Sequence, residues 1–485
     1  MREGIPHSDP HFRARAGEMG VKIHLAGLKP DRRQAIRAVG SFLAVALLAG
    51  GSPGQAQGQS RPPNIVFILS DNQRWDFLGC AGHPFVVTPH IDRLAREGIL
   101  FSNAFVTTSL CSPSRASFLT GQYAHTHGVR DNLTAWNERN VTFLELLKGA
   151  GYESAFIGKW HMPGTLPRLR GVDLFVTFTV EKGQGRYFRC PLVVNGVETP
   201  SRKPYITEEL TDYALAFLSK ERNGPFCLVL SHKAVHHPWR PPPDLADAYR
   251  ADRPRFPPEF NPLVFLTGGN LFDGLIGPPD ELYRNYARVV TSLDREVGRL
   301  LERIDHLGMA DHTVVIFASD NGFLWGEHQL AGTGRWPYEE SIRIPFIVRA
   351  PGIAEAPGRR ADQMILNIDL APSVLEMAGL QAPGSIEGRS FVPVLKSGSS
   401  PGREAWLYEY FADFPFRVPA TRALRTDRYM YIEFKGRMGR ELYDLKKDPR
   451  QLMNLLSTEE GKKTAEDLKA VLQALEDGGR NVPAM

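Results

Sequence analysis

Residues 64–72 read Asn64-Ile65-Val66-Phe67-Ile68-Leu69-Ser70-Asp71-Asn72, an unbroken apolar run that stops abruptly at a carboxylate. A run of this length without alternation predicts a strand buried on both faces. The pattern returns as Thr313-Val314-Val315-Ile316-Phe317-Ala318, ending in Ser319-Asp320-Asn321-Gly322, and as Phe226-Cys227-Leu228-Val229-Leu230-Ser231, ending at His232. Helical spacing lies between the runs, over Val141 to Ala150 and Asp280 to Leu307. Strands alternating with helices predict a wound α/β sheet, and such sheets bind ligands at the C-terminal ends of their strands. Asp71, His232 and Asp320 are therefore expected on one rim.

Outward from these strands the chain divides. Arg240 to Gly277 is rich in Pro, Gly and Asp and reads as a long surface loop. Lys396-Ser397-Gly398-Ser399-Ser400-Pro401-Gly402 marks a boundary. Beyond it, Arg422 to Phe434 and Glu441 to Leu445 alternate like a small antiparallel sheet, closed by an amphipathic helix over Lys462 to Leu475. Three segments are expected: 1–56, 57–396 and 397–485.

The formal charge of +4 is local to the N-terminus. Residues 1–56 carry eight Lys/Arg and four Asp/Glu, which leaves fifty of each sign in the remainder. No global field for nucleic acid survives, so any attraction for an anion must be confined to a pocket. In the same segment Arg32-Arg33 and Arg37 precede the apolar run Ser41 to Ala49 and the small-residue stretch Gly50 to Ala56. These are the parts of an export signal cut near Ala56, with Met19 a plausible start. The run is too short for a stable membrane span, which needs about 20 apolar residues. The arginine pair points to the twin-arginine route, although Ala35-Ile36 fits its consensus only in part. An exported bacterial protein, periplasmic or secreted, is expected. Of the four cysteines, Cys80, Cys190 and Cys227 show no CxxC or zinc spacing and read as core thiols.

The fourth, Cys111, opens the stretch Cys111-Ser112-Pro113-Ser114-Arg115-Ala116-Ser117-Phe118-Leu119-Thr120-Gly121. It matches C-x-P-S-R-x-x-x-[LF]-T-G at every fixed position, and the chain from Pro63 onward resembles the type I, formylglycine-dependent sulfatases of the alkaline phosphatase superfamily. The resemblance implies a large mixed, mostly parallel sheet flanked by helices and a smaller C-terminal antiparallel-sheet domain. It also implies a sulfuric-ester hydrolase whose Cys111 is oxidised to formylglycine by a formylglycine-generating enzyme. One hydroxyl of the hydrated aldehyde attacks sulfur, and the second drives collapse of the sulfated hemiacetal. The expected substrate is a sulfated saccharide or small aryl sulfate.

The same resemblance assigns further roles. Arg115 holds the nucleophile in place. Asp71, Asn72, Cys111, Asp320 and Asn321 surround Ca²⁺ or Mg²⁺, for which hard oxygen ligands are suited. Gly158-Lys159-Trp160-His161 follows a matching lead-in, so that Lys159 contacts a sulfate oxygen and His161 assists collapse. Within Ser231-His232-Lys233-Ala234-Val235-His236-His237-Pro238, His236 aligns with the residue facing the ester oxygen, a place for a general acid. Two positions depart from the family pattern. Asn72 stands where an Asp is usual, and Gly334 stands where a sulfate-binding Lys is usual. Arg335 is adjacent and a substrate-binding candidate, but on an extended segment it would point the other way. Either another cation substitutes or the activity is reduced or altered, and Gly334→Lys is expected to raise turnover. Trp239, Arg240, Trp325, Arg335 and Trp336 are candidates for sugar contacts. Two rivals stay open: a phosphodiester or phosphonate monoester hydrolase of the same superfamily, and an inactive carbohydrate-binding derivative.

Overall fold

The computed structural model of the chain describes residues 61–164, 166, 169–263, 275, 277–398, 400–412, 415–416 and 418–478. The expected export signal (1–56) and part of the 240–277 loop lie outside them. All three apolar runs are strands, Asn64–Ser70, Phe226–Ser231 and Thr313–Ser319, and they are adjacent in one ten-stranded sheet. The first pairs in parallel with both others, Leu69 lying opposite Ser231 on one side and Ala318 on the other. Glu153–Gly158 and Leu174–Thr177 extend the parallel core, while Phe346–Arg349 and the Leu192–Thr199 hairpin add antiparallel strands. The sheet is thus mixed and mostly parallel at its centre.

Unbroken apolar strands result because both faces are covered. Val66 and Ile68 pack under the helices Pro89–Glu97, Ile206–Leu218 and Pro279–His306. Ile65, Phe67 and Leu69 pack under Cys111–Thr120, Phe143–Gly149 and Leu370–Met377. Cys190 and Cys227 are buried thiols as expected; Cys80 is only partly buried. Among the described residues no helix is long and apolar enough to cross a membrane.

The C-terminal alternation forms a four-stranded antiparallel sheet, Ala405–Tyr410, Thr421–Thr426, Tyr429–Phe434 and Arg440–Asp444, covered by the helix Glu459–Glu476. The single run expected over 422–434 is two strands, because Asp427-Arg428 turns the chain: Thr426 Oγ1 accepts from the amides of Arg428 and Tyr429.

One carboxylate ties two of these helices. Asp294 on Pro279–His306 accepts from the amides of His90 and Ile91, supplying the acceptor that the first turn of Pro89–Glu97 lacks. Burial pushes its pKa up to about 7, against those two hydrogen bonds. An acid raised in the fold stabilises when protonated. Its contribution is complete below the unfolded value of about 4 and is lost as pH rises through about 7. Asp294→Asn should therefore gain on the wild type between pH 5 and pH 8, by up to about 3 kcal/mol, because about two pH units of that window lie below the folded value at ~1.4 kcal/mol per unit. Urea midpoints at the two pH values measure the difference.

Candidate active site

Four strand ends converge on the first turn of the Cys111–Thr120 helix. The Cys111 Sγ lies 3.7 Å from Asp71 Oδ1 and 3.7 Å from Asn72 Oδ1. Asp71 continues the Asn64–Ser70 strand, and its Oδ2 receives Lys159 Nζ at 2.5 Å from the end of Glu153–Gly158. Arg115, one helical turn beyond Cys111, places Nε and Nη2 on Asp320 Oδ2 at 2.9 and 2.7 Å. Its Nη1 donates to the Lys159 carbonyl at 3.1 Å and to Ser231 Oγ. The Asn72 amide donates to Asp320 Oδ1, and Asn321 Nδ2 donates to Asn72 Oδ1, both at 2.9 Å. Ser112 Oγ donates to the His161 carbonyl at 3.0 Å and lies 3.5 Å from its Nδ1. His236 completes the group: one ligand atom each from Asp71, Cys111 and His236 lies within 4.8 Å of the others.

The donor set fits a hard divalent cation. Asp71, Asn72, Asp320 and Asn321 are all buried and offer oxygen, and Asn321 Oδ1 has no hydrogen-bond partner. Asn72 has φ 58°, the left-handed region that Asn enters more readily than most residues. That backbone demand gives Asn a local reason to stand there, at the cost of one negative charge.

Electrostatics favour an anion in the remaining space. Burial pushes the Cys111 thiol up to about 12, with Lys159 and Arg115 opposing Asp320 and Asp71. Burial first, then the cations Lys159 and Arg115, hold His161 well below its ordinary value. His236 is lowered by burial, His237, Lys159 and Lys233. Its Nδ1 lies 2.6 Å from the His237 carbonyl, so Nδ1 carries the proton, and its Nε2 lies 3.1 Å from Gln184 Nε2. Burial and the neighbouring cations favour the neutral form of both histidines.

Three expectations change. Arg335 does not point away: it is buried, stacked 3.3 Å from the Phe416 ring, and its charge reaches His161 and His237. Nor is Gly334 an open place. A Cβ there would lie 2.8 Å from Ser341 Cβ and 3.0 Å from its Cα, on the short helix Glu339–Ile342 whose Ser341 carbonyl also accepts from the Gly322 amide. Trp239 and Trp325 are core residues, packed 5.1 Å apart in an aromatic cluster with Tyr286 and Phe323, so they offer no face to a sugar. Lys233 was the residue sequence reasoning passed over. It is fully buried, and burial pushes it down to about 7. Its signal was a lysine two places past a strand buried throughout.

Comparison with known proteins agrees with this geometry. The sulfatase family model matches residues 63–380, and the C-terminal model of N-sulphoglucosamine sulphohydrolase matches 326–478. The chain belongs to the sulfatase family of the alkaline phosphatase superfamily and is a sulfuric-ester hydrolase. An N-acetylglucosamine-6-O-sulfatase of Bacteroides thetaiotaomicron is 29% identical, with 86% of each chain covered. An ulvan-active sulfatase of Formosa agariphila is 28% identical over 94% of this chain and 88% of its own. A solved protein in complex with its substrate D-glucosamine-2-N,6-O-disulfate superposes with a TM-score of 0.78 at 28% identity, covering 87% of this chain and 98% of that one.

Because Ser341 closes the space at Gly334, Gly334→Lys should lower turnover rather than raise it. Gly334→Ala should already destabilise by ~1–3 kcal/mol through overpacking. A thermal melt of the alanine variant beside an aryl sulfate assay of both variants measures these effects.

Proposed function

We propose that the chain hydrolyses a sulfate ester on a saccharide, through a formylglycine made from Cys111 and beside a bound Ca²⁺. The observation that carries this reading is the Cys111 thiol itself. It lies at a helix N-terminus, 3.7 Å from an oxygen of Asp71 and of Asn72, where a group made from it would face the cation those residues hold. Conversion to the aldehyde hydrate replaces it with a hydroxyl nucleophile and an internal exit for sulfate. Asp71, Asn72, Asp320 and Asn321 would hold the cation, which supplies charge to lower the pKa of that hydroxyl and to neutralise the sulfuryl oxygens. Ca²⁺ suits this set better than Mg²⁺, which demands small octahedral geometry and keeps its waters.

The chain's own groups supply the rest. Arg115 fixes Asp320 and, through Ser231 and the Lys159 carbonyl, the spacing of the strand ends. Lys159 spans from Asp71 toward the sulfuryl oxygens. His161 is positioned by Ser112 to take a proton from the nucleophile's second hydroxyl. His236 offers Nε2, and an arriving anion raises its proton affinity against Lys159 and Lys233, so protonation of the leaving alcohol couples to substrate binding. Arg335 with Phe416 contributes a cationic and aromatic surface for a sugar. A saccharide substrate is supported by the names of the relatives, which act on sulfated glucosamine and ulvan. We further read 1–56 as the export signal to the periplasm or exterior, 57–396 as the catalytic domain and 397–485 as its C-terminal partner.

A peptide containing Cys111 should be about 18 Da lighter than its cysteine form in the active enzyme, the sulfur having given way to oxygen. Cys111→Ala should abolish turnover. Asp71→Ala and exhaustive chelation should each lower kcat by ~10²-fold or more. Mass spectrometry and release of sulfate from glucosamine 6-sulfate test the reading. An unmodified Cys111 in a fully active preparation, or faster hydrolysis of a phosphonate monoester than of every sulfate ester, would overturn it.

A further inference from the structure

One buried lysine at the site has no carboxylate in contact with its ammonium, Asp71 acting on it only from beyond ion-pair distance. Lys233 is fully buried just past the Phe226–Ser231 strand. Its Nζ donates to the His237 carbonyl at 3.3 Å and lies 4.1 Å from the centre of the Tyr187 ring. Among the described residues it forms no ion pair, in contrast to Lys159, whose Nζ sits on Asp71. An ammonium has three donor protons, and one long hydrogen bond and an aromatic face occupy only part of that capacity. Buried charges persist where a partner is supplied.

Its position indicates which partner. The Asp71 amide donates to the Ala234 carbonyl and the Val235 amide to the Asp71 carbonyl, both at 2.9 Å, so the loop that carries Lys233 is clamped to the residue beside Cys111. The charge of Lys233 reaches His161, His236 and His237, which line the same space. Gly334, where the family pattern would place a cation, has no room for a side chain beside Ser341.

We propose that Lys233 is a substrate-binding residue that receives an anionic oxygen of the sulfate ester. It provides a cation that position 334 cannot carry. The assignment rests on the hydrolase reading above. Without substrate the ammonium is held in reserve by Tyr187 and the His237 carbonyl, and the ester supplies the missing negative charge. The arrangement sacrifices stability of the empty enzyme for binding of the anion.

The test compares wild type with Lys233→Met and Lys233→Arg, each checked for formylglycine content by mass spectrometry. Calorimetric titrations use inorganic sulfate and, separately, the desulfated sugar. Lys233→Met should bind sulfate roughly 10- to 100-fold more weakly, as expected for loss of a charge-assisted hydrogen bond. Its kcat for an aryl sulfate should fall by ~10²–10³. Affinity for the desulfated sugar should not change, and Lys233→Arg should recover part of the sulfate affinity. Without sulfate, Lys233→Met should melt at or above the wild-type temperature, because an uncompensated buried charge has been removed. Wild-type sulfate affinity in Lys233→Met, equal weakening for sulfate and desulfated sugar, or a lowered melting temperature without sulfate would each overturn the proposal. Sulfate binding that depends on Lys233 in a wild type unable to cleave any sulfate ester would sustain it and overturn the hydrolase reading instead.

Discussion

The guanidinium of Arg115 is the constraint on which the site depends. It leaves the Cys111–Thr120 helix and reaches three strand ends at once: the Asp320 carboxylate, the Lys159 carbonyl and the Ser231 hydroxyl. Only a planar fork with several fixed donors can do this. The pair with Asp320 is fully buried, and removing one partner of such a pair typically costs about 3–5 kcal/mol because the other charge is stranded. The nucleophile's helix is thereby registered against the sheet. A one-residue slip of any strand would turn its terminal side chain to the other face.

Around this anchor the protein concentrates positive charge without exposing it. Lys159 sits on Asp71, Lys233 faces Tyr187, Arg335 faces Phe416, and the histidines between them stay neutral. A chain balanced in charge beyond its first 56 residues can thus still attract a small anion, because in a buried pocket each charge acts through a low local dielectric. The surrounding packing is correspondingly close. A Cβ on Gly322 would meet the Glu340 carbonyl at 2.0 Å, and one on Gly334 would meet Ser341 at 2.8 Å, so two glycines let one short helix lie directly against the Asp320-Asn321 turn.

This close packing gives the departures from the family pattern a local meaning. Asn72 occupies a left-handed turn and links the amides and carboxylate of the opposite strand end, so it is engaged in the framework as well as facing the nucleophile. Gly334 belongs to the packing of Glu339–Ile342.

By itself the sequence determined the strands that end in Asp71, His232 and Asp320, the helices over Val141 to Ala150 and Asp280 to Leu307, and the residues gathered at the strand ends. Each of those readings rests on short-range information: unbroken apolar runs, helical spacing and a contiguous motif. Tertiary structure alone decided which side chains near the rim face inward. Arg335 is buried because Phe416 on the C-terminal segment offers its guanidinium a face. Trp239 and Trp325, candidates for sugar contacts in the sequence, are core because helix Pro279–His306 brings Tyr286 beside them. Lys233 became a buried cation because Asp71, 162 positions earlier in the chain, clamps its loop through backbone hydrogen bonds that no local pattern encodes.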